Sequence, residues 1–334
     1  MNVDAILAPS TLSGVPEVAR AAEAFGFDAL WCPETSHDPF LPGVLIAEHT
    51  RYLHFGTAIA VSFARSPTTL AYLAWDLAQF SQGRFLLGLG TQVKAHIERR
   101  FGMPWPDSVV GKLREQIQAI RSLWRCWQEG SELNYRGRYH RLTLMSPFFN
   151  PGPIPHPDIP ILIAGVNPGL ARLAGEEADG FFVHPLHSID YLAQVLLPAI
   201  RLGFTKRERE NPRFQLCVMA FTATSKQEAQ FVRAQIAFYA STPSYRRVLE
   251  HHGWGEVGEK LSALASRARW EEMPALIDET MLETFAVLGE EQSLAEKLRR
   301  RYAGLVQRLS LYLPFVPGQR DNFWRRLVEE LRTA

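Results

Sequence analysis

The stretch "PETSHDPF" sets Glu34, His37 and Asp38 close together. An imidazole beside carboxylates can move a proton near neutral pH, because its own pKa lies close by. In that reading His37 carries the proton and Glu34 orients it. The competing reading is a polar loop whose Asp38, just before Pro39, caps the next helix; for Asp38 that reading is preferred. A second group, Thr91, Gln92, Lys94 and His96, follows the glycines Gly88 and Gly90 in "GLGTQVKAHIERRFGMPW". These four offer hydrogen bonds to a ligand, while Glu98, Arg99 and Arg100 read as solvated helix surface. In "DGFFVHPLHS", His184 and His187 stand three apart. Two such histidines could ligate a metal, but no third ligand stands at a suitable spacing, and no metal is expected.

Two further stretches show backbone rather than side chain. In "PILIAGVNPGLARLAGEEADGFFV" an apolar run ends in Ala164-Gly165-Val166-Asn167-Pro168. Asn167 suits a helix N-cap and Pro168 a first helical residue. Free N–H groups at such a terminus, with the helix dipole, favour an anion. Gly165 would let a phosphate approach. An ordinary capped turn reads equally well from these residues alone. The run "GTAIAVSFARSP" is built from small residues, Gly56, Thr57, Ala58, Ala60 and Ser62. They either admit a ligand to the backbone or fill a tapering interior.

Positioning these groups requires a scaffold of alternating elements. Apolar runs at Val3–Ala8, Asp28–Cys32, Tyr52–Ser62, Arg84–Gly90, Ile159–Ala164, Asp179–His184, Phe214–Thr222 and Arg308–Leu313 read as strands. Helical periodicity separates nearly all of them, at Val15–Phe25, Thr68–Phe80, Val109–Gln128, Pro168–Glu177, Ile189–Leu202, Leu294–Ala303 and Asn322–Arg332. Such alternation implies a parallel sheet. Eight units favour a closed (β/α)8 TIM barrel over a doubly wound sheet, which would want a GxGxxG turn after the first strand; "APSTLSG" has none. The long stretches after strands 4 and 7 are insertions in one domain, residues 1–334. The first holds a hairpin around Arg136-Gly137; the second is helical from Lys226 to Glu272, with Met281–Leu288 extended. In such a barrel the chemistry sits at the C-terminal strand ends, where every candidate above falls.

The chain has 334 residues and a net charge of +1, so charge points to neither a nucleic acid nor a membrane surface. Three dispersed cysteines, Cys32, Cys126 and Cys217, suit a reducing compartment, and the N-terminal residues do not form a signal peptide. A cytoplasmic protein is expected.

"SPTTLAYLAWDLAQFSQGRFLLGLGTQ" and "PILIAGVNPGLARLAGEEADGFFV" resemble the luciferase-like superfamily of flavin and deazaflavin oxidoreductases. "GTQVKAHIERRFGMPW" and "ETSHDPFLP" look most like its branch dependent on coenzyme F420, a 5-deazaflavin. The resemblance implies a barrel holding the cofactor ring at its mouth, on a third-strand bulge near Ala58-Ile59 that often carries a non-prolyl cis peptide. It implies a phosphate at Gly165, Val166 and Asn167, the ring's polar edge near Thr91 and Gln92, and His184 among the cofactor contacts. Lys94 and His96 would meet a small organic substrate. The expected reaction is F420-dependent hydride transfer. The alternatives are an FMN-dependent monooxygenase and a cofactor-binding barrel without activity. A homodimer is implied too. Gln92-Val93 stands where sugar-phosphate dehydrogenases of the family carry Gly-Glu, which speaks against that substrate.

Overall fold

The computed structural model describes residues 1–8, 11–207 and 213–332. Eight strands carry the fold: β1 Asn2–Ile6, β2 Ala29–Cys32, β3 His54–Thr57, β4 Phe85–Gly90, β5 Ile161–Gly165, β6 Gly180–Val183, β7 Gln215–Ala223 and β8 Arg308–Leu311. Each pairs parallel with the next, and β8 returns to β1 with Arg308 opposite Asn2. The barrel is therefore closed, and helices cover it. Strands buried on both faces need continuous apolar sequence; in β4, "FLLGLG", all six residues are buried. Local signals set the helix ends. Ser66 Oγ accepts the Thr69 N–H at 3.1 Å to start Pro67–Phe80, and Gly26, at φ 83°, ends Val15–Phe25.

The barrel interior fills in layers. Asp4 and Arg308 face each other across the β1–β8 seam, both buried, with Arg308 Nε and Nη2 each 2.7 Å from the carboxylate. Trp31 donates its Nε1–H to the same carboxylate at 2.9 Å. Above them Trp31 meets Phe182 edge-on, ring centroids 4.9 Å apart. These two rings occupy the space that the glycines leave. A Cβ on Gly56 would lie 2.8 Å from the Trp31 ring, and one on Gly88 would lie 2.9 Å from Phe182. At this depth the small residues serve packing.

Higher up, β3 is interrupted. Gly56 pairs with Leu86, yet Ala60 pairs with Leu89, so three residues on one strand, Thr57 to Ile59, face two on the other. That is a β-bulge, with one residue too many on β3. The Thr57 hydroxyl repairs the ladder by donating to Gly88 O at 2.6 Å and accepting Gly88 N–H at 3.0 Å. The Ala58-Ile59 peptide within the bulge is cis, at the position the family resemblance implied.

Both insertions are present. The one after β4 adds a short helix, Lys94–Arg99, to the expected long helix, here Val109–Glu129, and hairpin, Tyr135–Arg136 with Arg141–Leu142. The one after β7 holds the helices Lys226–Ala240, Arg246–His251 and Gly255–Ser266. Met281–Leu288 is only partly extended. Asp278 accepts the Met281 N–H at 2.8 Å and starts a helix, Glu279–Phe285, leaving Ala286–Leu288 to pair with the end of β7. The cap signal at Asp278 overrode the apolar run. All three cysteines are buried, and burial pushes the Cys32 thiol up to about 12 and those of Cys126 and Cys217 upward. Among the described residues no helix is long and apolar enough to cross a membrane.

Candidate functional site

The C-terminal mouth of the barrel has two unlike halves. Over β3 to β5 it offers little but backbone: the cis peptide Ala58-Ile59, then Gly90, then Ala164-Gly165. A Cβ on Gly90 would lie 2.5 Å from the Ile59 side chain, so this glycine seats the bulge. A Cβ on Gly165 would lie 2.8 Å from Leu170 of the next helix. Gly165 is therefore demanded by helix packing, not only by a ligand. That helix, Pro168–Glu177, starts as expected, but the Asn167 side chain does not cap it. Its Nδ2 instead donates to Ser244 O at 2.9 Å, drawing the β7 insertion across the mouth. Its Oδ1 is buried and has no hydrogen-bond partner among the described residues. Val166 is buried, and its carbonyl accepts from the Tyr191 hydroxyl at 3.2 Å. The first-turn N–H groups have no acceptor within their own helix.

Over β6 to β8 the mouth is aromatic. His184, just past β6, lies 4.6 Å from the rings of both Tyr239 and Tyr245. Its Nδ1 accepts the Leu186 N–H at 3.1 Å, which leaves the proton on Nε2. Burial, reinforced by His187, pushes its pKa down to about 3, so it is a neutral donor at pH 7. His187 is not a metal ligand in this arrangement. Its Nδ1 faces the carbonyls of His184 and Pro185 at 2.9 and 3.1 Å, and its Nε2 lies 3.0 Å from the Tyr302 hydroxyl. Burial holds His187 at about 4.

These two histidines make the fold acid-sensitive. The unfolded chain takes up their protons below about pH 6.5 while the folded chain refuses them, so stability falls as pH drops from 6.5 toward 4. Each costs about 1.4 kcal/mol per pH unit within that window. His187→Gln is expected to reduce the slope of unfolding free energy against pH by about that amount between pH 6 and 5. Urea titrations at several pH values check this, and parallel curves for the two proteins would refute it.

The β2 end departs from expectation. Glu34 Oε2 accepts from Val61 N and from Arg65 Nη1, both at 2.7 Å. Among the described residues no hydrogen bond joins it to His37. Glu34 therefore anchors the strand beyond the bulge, a partnership the sequence reading did not include. Asp38 accepts from Phe40 N at 2.8 Å and pairs with Arg65 at 3.0 Å, the capping reading. His37 is exposed above them. Thr91 and Gln92 stand half-buried at the end of β4 and are folded onto their own backbone: Thr91 Oγ1 donates to Gln92 O, and Gln92 Oε1 accepts Val93 N–H. Lys94 and His96 lie exposed on the short helix, with Lys94 3.7 Å from Glu98. Arg100 is not merely solvated; it donates to Thr35 O at 2.6 Å and pins the His37 loop.

Sequence reasoning missed Tyr239, Tyr245 and Tyr312. Tyr312 follows β8 directly, so the strand-end rule could have found it. Tyr239 and Tyr245 reach the mouth from the β7 insertion, and no local pattern marks them.

The comparisons with known proteins agree with this architecture. The luciferase-like monooxygenase family matches residues 2–308. An uncharacterized protein of Mycobacterium tuberculosis is 43% identical over 307 residues, 90% of each chain. The 5,10-methylenetetrahydromethanopterin reductase of Archaeoglobus fulgidus is 26% identical over 314 residues, 91% of this chain and 90% of that one. Among solved structures, the coenzyme F420 dependent tetrahydromethanopterin reductase from Methanopyrus kandleri superposes with a TM-score of 0.78 at 20% identity, covering 99% of this chain and 98% of that one. With its closed barrel, its bulged third strand and a family match spanning most of its length, this chain belongs to the luciferase-like monooxygenase family of flavin- and deazaflavin-dependent enzymes.

Proposed function

We propose that this protein is a coenzyme F420-dependent oxidoreductase acting on a small organic substrate. The observation that carries the proposal is the split mouth. A half of bare backbone over β3 to β5 fits a flat ring, and an aromatic half faces it where a substrate would lie. The group's other demands also find residues. The first-turn N–H groups beyond Asn167 suit a phosphate. The unpartnered Asn167 Oδ1 suits a hydroxyl donor. Thr91, Gln92 and His184 border the ring's half and complete the set. When bound, the deazaflavin would supply a hydride acceptor or donor with little reactivity toward oxygen. The likeness to a putative coenzyme F420-dependent oxidoreductase of Mycobacterium tuberculosis, 26% identical over 296 residues, supports F420 over FMN.

The protein's own part is to hold the ring, exclude water and manage one proton. Ile59 and Val166 wall the bare half. His37 is the proposed proton carrier, held at the rim by the loop that Arg65 and Arg100 tie down. Lys94 and His96 are proposed substrate contacts at the outer edge. General acid–base groups contribute about a hundredfold or more. His37→Ala is therefore expected to lower turnover about a hundredfold with cofactor affinity unchanged; unaltered turnover would remove His37 from the mechanism. Fluorescence titration of the apoprotein with F420 and with FMN tests the cofactor. Tight FMN binding without F420 binding would replace this reading with the monooxygenase one, and firm cofactor binding with no turnover would leave a binding protein.

A further inference from the structure

The aromatic half of the mouth contains a directed hydrogen-bond chain. Tyr312 donates its single hydroxyl proton to Gln235 Oε1 at 3.0 Å. Tyr239 and Tyr312 share a hydrogen bond of 2.8 Å. Because the Tyr312 proton is committed, Tyr239 must be the donor in that pair. The chain thus runs Tyr239 to Tyr312 to Gln235 and stops. The Tyr239 oxygen is its open end. Its one hydrogen is spent, and its lone pairs accept nothing among the described residues.

The open end lies over the barrel. Arg308, Ser310 and Tyr312 alternate along and past β8, and Arg308 points inward to Asp4, so Tyr312 shares the inward side. Tyr239 sits against His184 at the end of β6, and Phe221 of β7 lies 4.7 Å from Tyr312. Burial keeps both phenols protonated, pushing Tyr239 and Tyr312 upward. Neither serves as an anion.

We infer that this chain is the anchor for a substrate oxygen and that it can receive that oxygen as either hydroxyl or carbonyl. In the arrangement described, Tyr239 accepts a hydrogen bond from a hydroxyl. Turning the Gln235 amide over exchanges its oxygen for its NH2 with little change of shape. Gln235 then donates to Tyr312, Tyr312 donates to Tyr239, and Tyr239 presents its hydrogen to a carbonyl. An alcohol presents its oxygen as donor and the ketone of the same couple presents it as acceptor, and this chain can hold either. On oxidation the hydride would pass to the bound deazaflavin and the hydroxyl proton to His37, the proton carrier proposed above, while the tyrosines keep their own protons. The inference rests on the functional reading above and names its substrate class, small molecules of the alcohol–carbonyl couple.

Ligand-observed NMR with cyclohexanol and cyclohexanone, on apoprotein and on cofactor-loaded protein, tests the chain. Tyr239→Phe is expected to weaken both probes about three- to tenfold, the worth of one hydrogen bond, with cofactor affinity unchanged. Gln235→Glu is the sharper variant. A carboxylate only accepts, so it fixes the chain in the hydroxyl-binding direction. Cyclohexanol binding should survive while cyclohexanone binding falls, a split that a merely structural role would not produce. Equal effects of Gln235→Glu on both probes, or unchanged probe binding in Tyr239→Phe, overturns the inference, as does failure of both probes to bind the wild type. Cofactor titration of the same samples separates the two ideas: a wild type that binds neither cofactor sinks the functional reading, whatever the probes do.

Discussion

Arg308→Leu is expected to destabilise the protein by about 3–5 kcal/mol at neutral pH, the usual cost of stripping one partner from a buried ion pair. The cause is what remains. Asp4 lies in the floor of the barrel with Trp31 as its only other hydrogen-bond partner among the described residues. Burial already pushes its carboxyl above the usual range, and Arg308 is the main force opposing that. Without Arg308 the raised pKa dominates. A carboxyl whose folded pKa exceeds its unfolded one costs stability above that range and regains it on acidification. The deficit of the variant relative to wild type should therefore shrink as pH falls toward 4. Replacing both residues, Asp4→Leu with Arg308→Leu, should recover much of the loss, because apolar pairs of similar volume often match buried ion pairs. Urea midpoints of wild type, Arg308→Leu and the double variant at two pH values decide this. A single variant as stable as wild type at pH 7 would show that the floor pair does not hold the β1–β8 seam.

Gly88→Ala is expected to prevent folding or to cost more than about 4 kcal/mol, which places it among the severe core substitutions. The new Cβ would fall 1.8 Å from Thr57 O, and a backbone atom in the bulge has nowhere to go. Moving it would also break the two hydrogen bonds by which Thr57 bridges the ladder. Gly102→Ala is the control. Its φ of +65° makes alanine strained, but nothing stands within 4 Å of the new atom. It should cost about 1–2 kcal/mol, the price of a left-handed backbone for a side chain. Thermal unfolding or soluble yield of the two variants gives the comparison. If Gly88→Ala behaved like Gly102→Ala, the tight β3–β4 contact would be wrong.

The barrel was legible because each strand is a short, largely apolar run between strong turn and cap signals. Ser66-Pro67, Gly26 and Asn167-Pro168 mark element ends that the structure keeps to within a residue or two. The bulge was visible only through family resemblance. Nothing in "GTAIAVSF" says that one residue is surplus, since that depends on register with β4. The site was legible by position but not by partnership. The strand-end rule brought Glu34, Thr91, Gly165 and His184 to the mouth. It could not say that Glu34 would turn to Val61 and Arg65, or that Asn167 would reach to Ser244, because those partners lie 27, 31 and 77 residues away. The same distance hid Tyr239. Lys297 and Arg301, charged residues of the helix Leu294–Tyr302, donate to Leu288 O and Ala286 O and so staple the β7 insertion to the barrel. Long side chains are free to find carbonyls that sequence spacing does not reveal.

The three buried cysteines have a practical consequence. Each thiol is held protonated and away from solvent, and the thiolate is the reactive form. A maleimide at neutral pH should therefore leave the native protein unlabelled. Ser244 is exposed and offers its backbone carbonyl, not its side chain, to Asn167. A cysteine placed there becomes a single attachment point beside the bare turn, and a fluorophore on it reports directly on whatever enters the mouth.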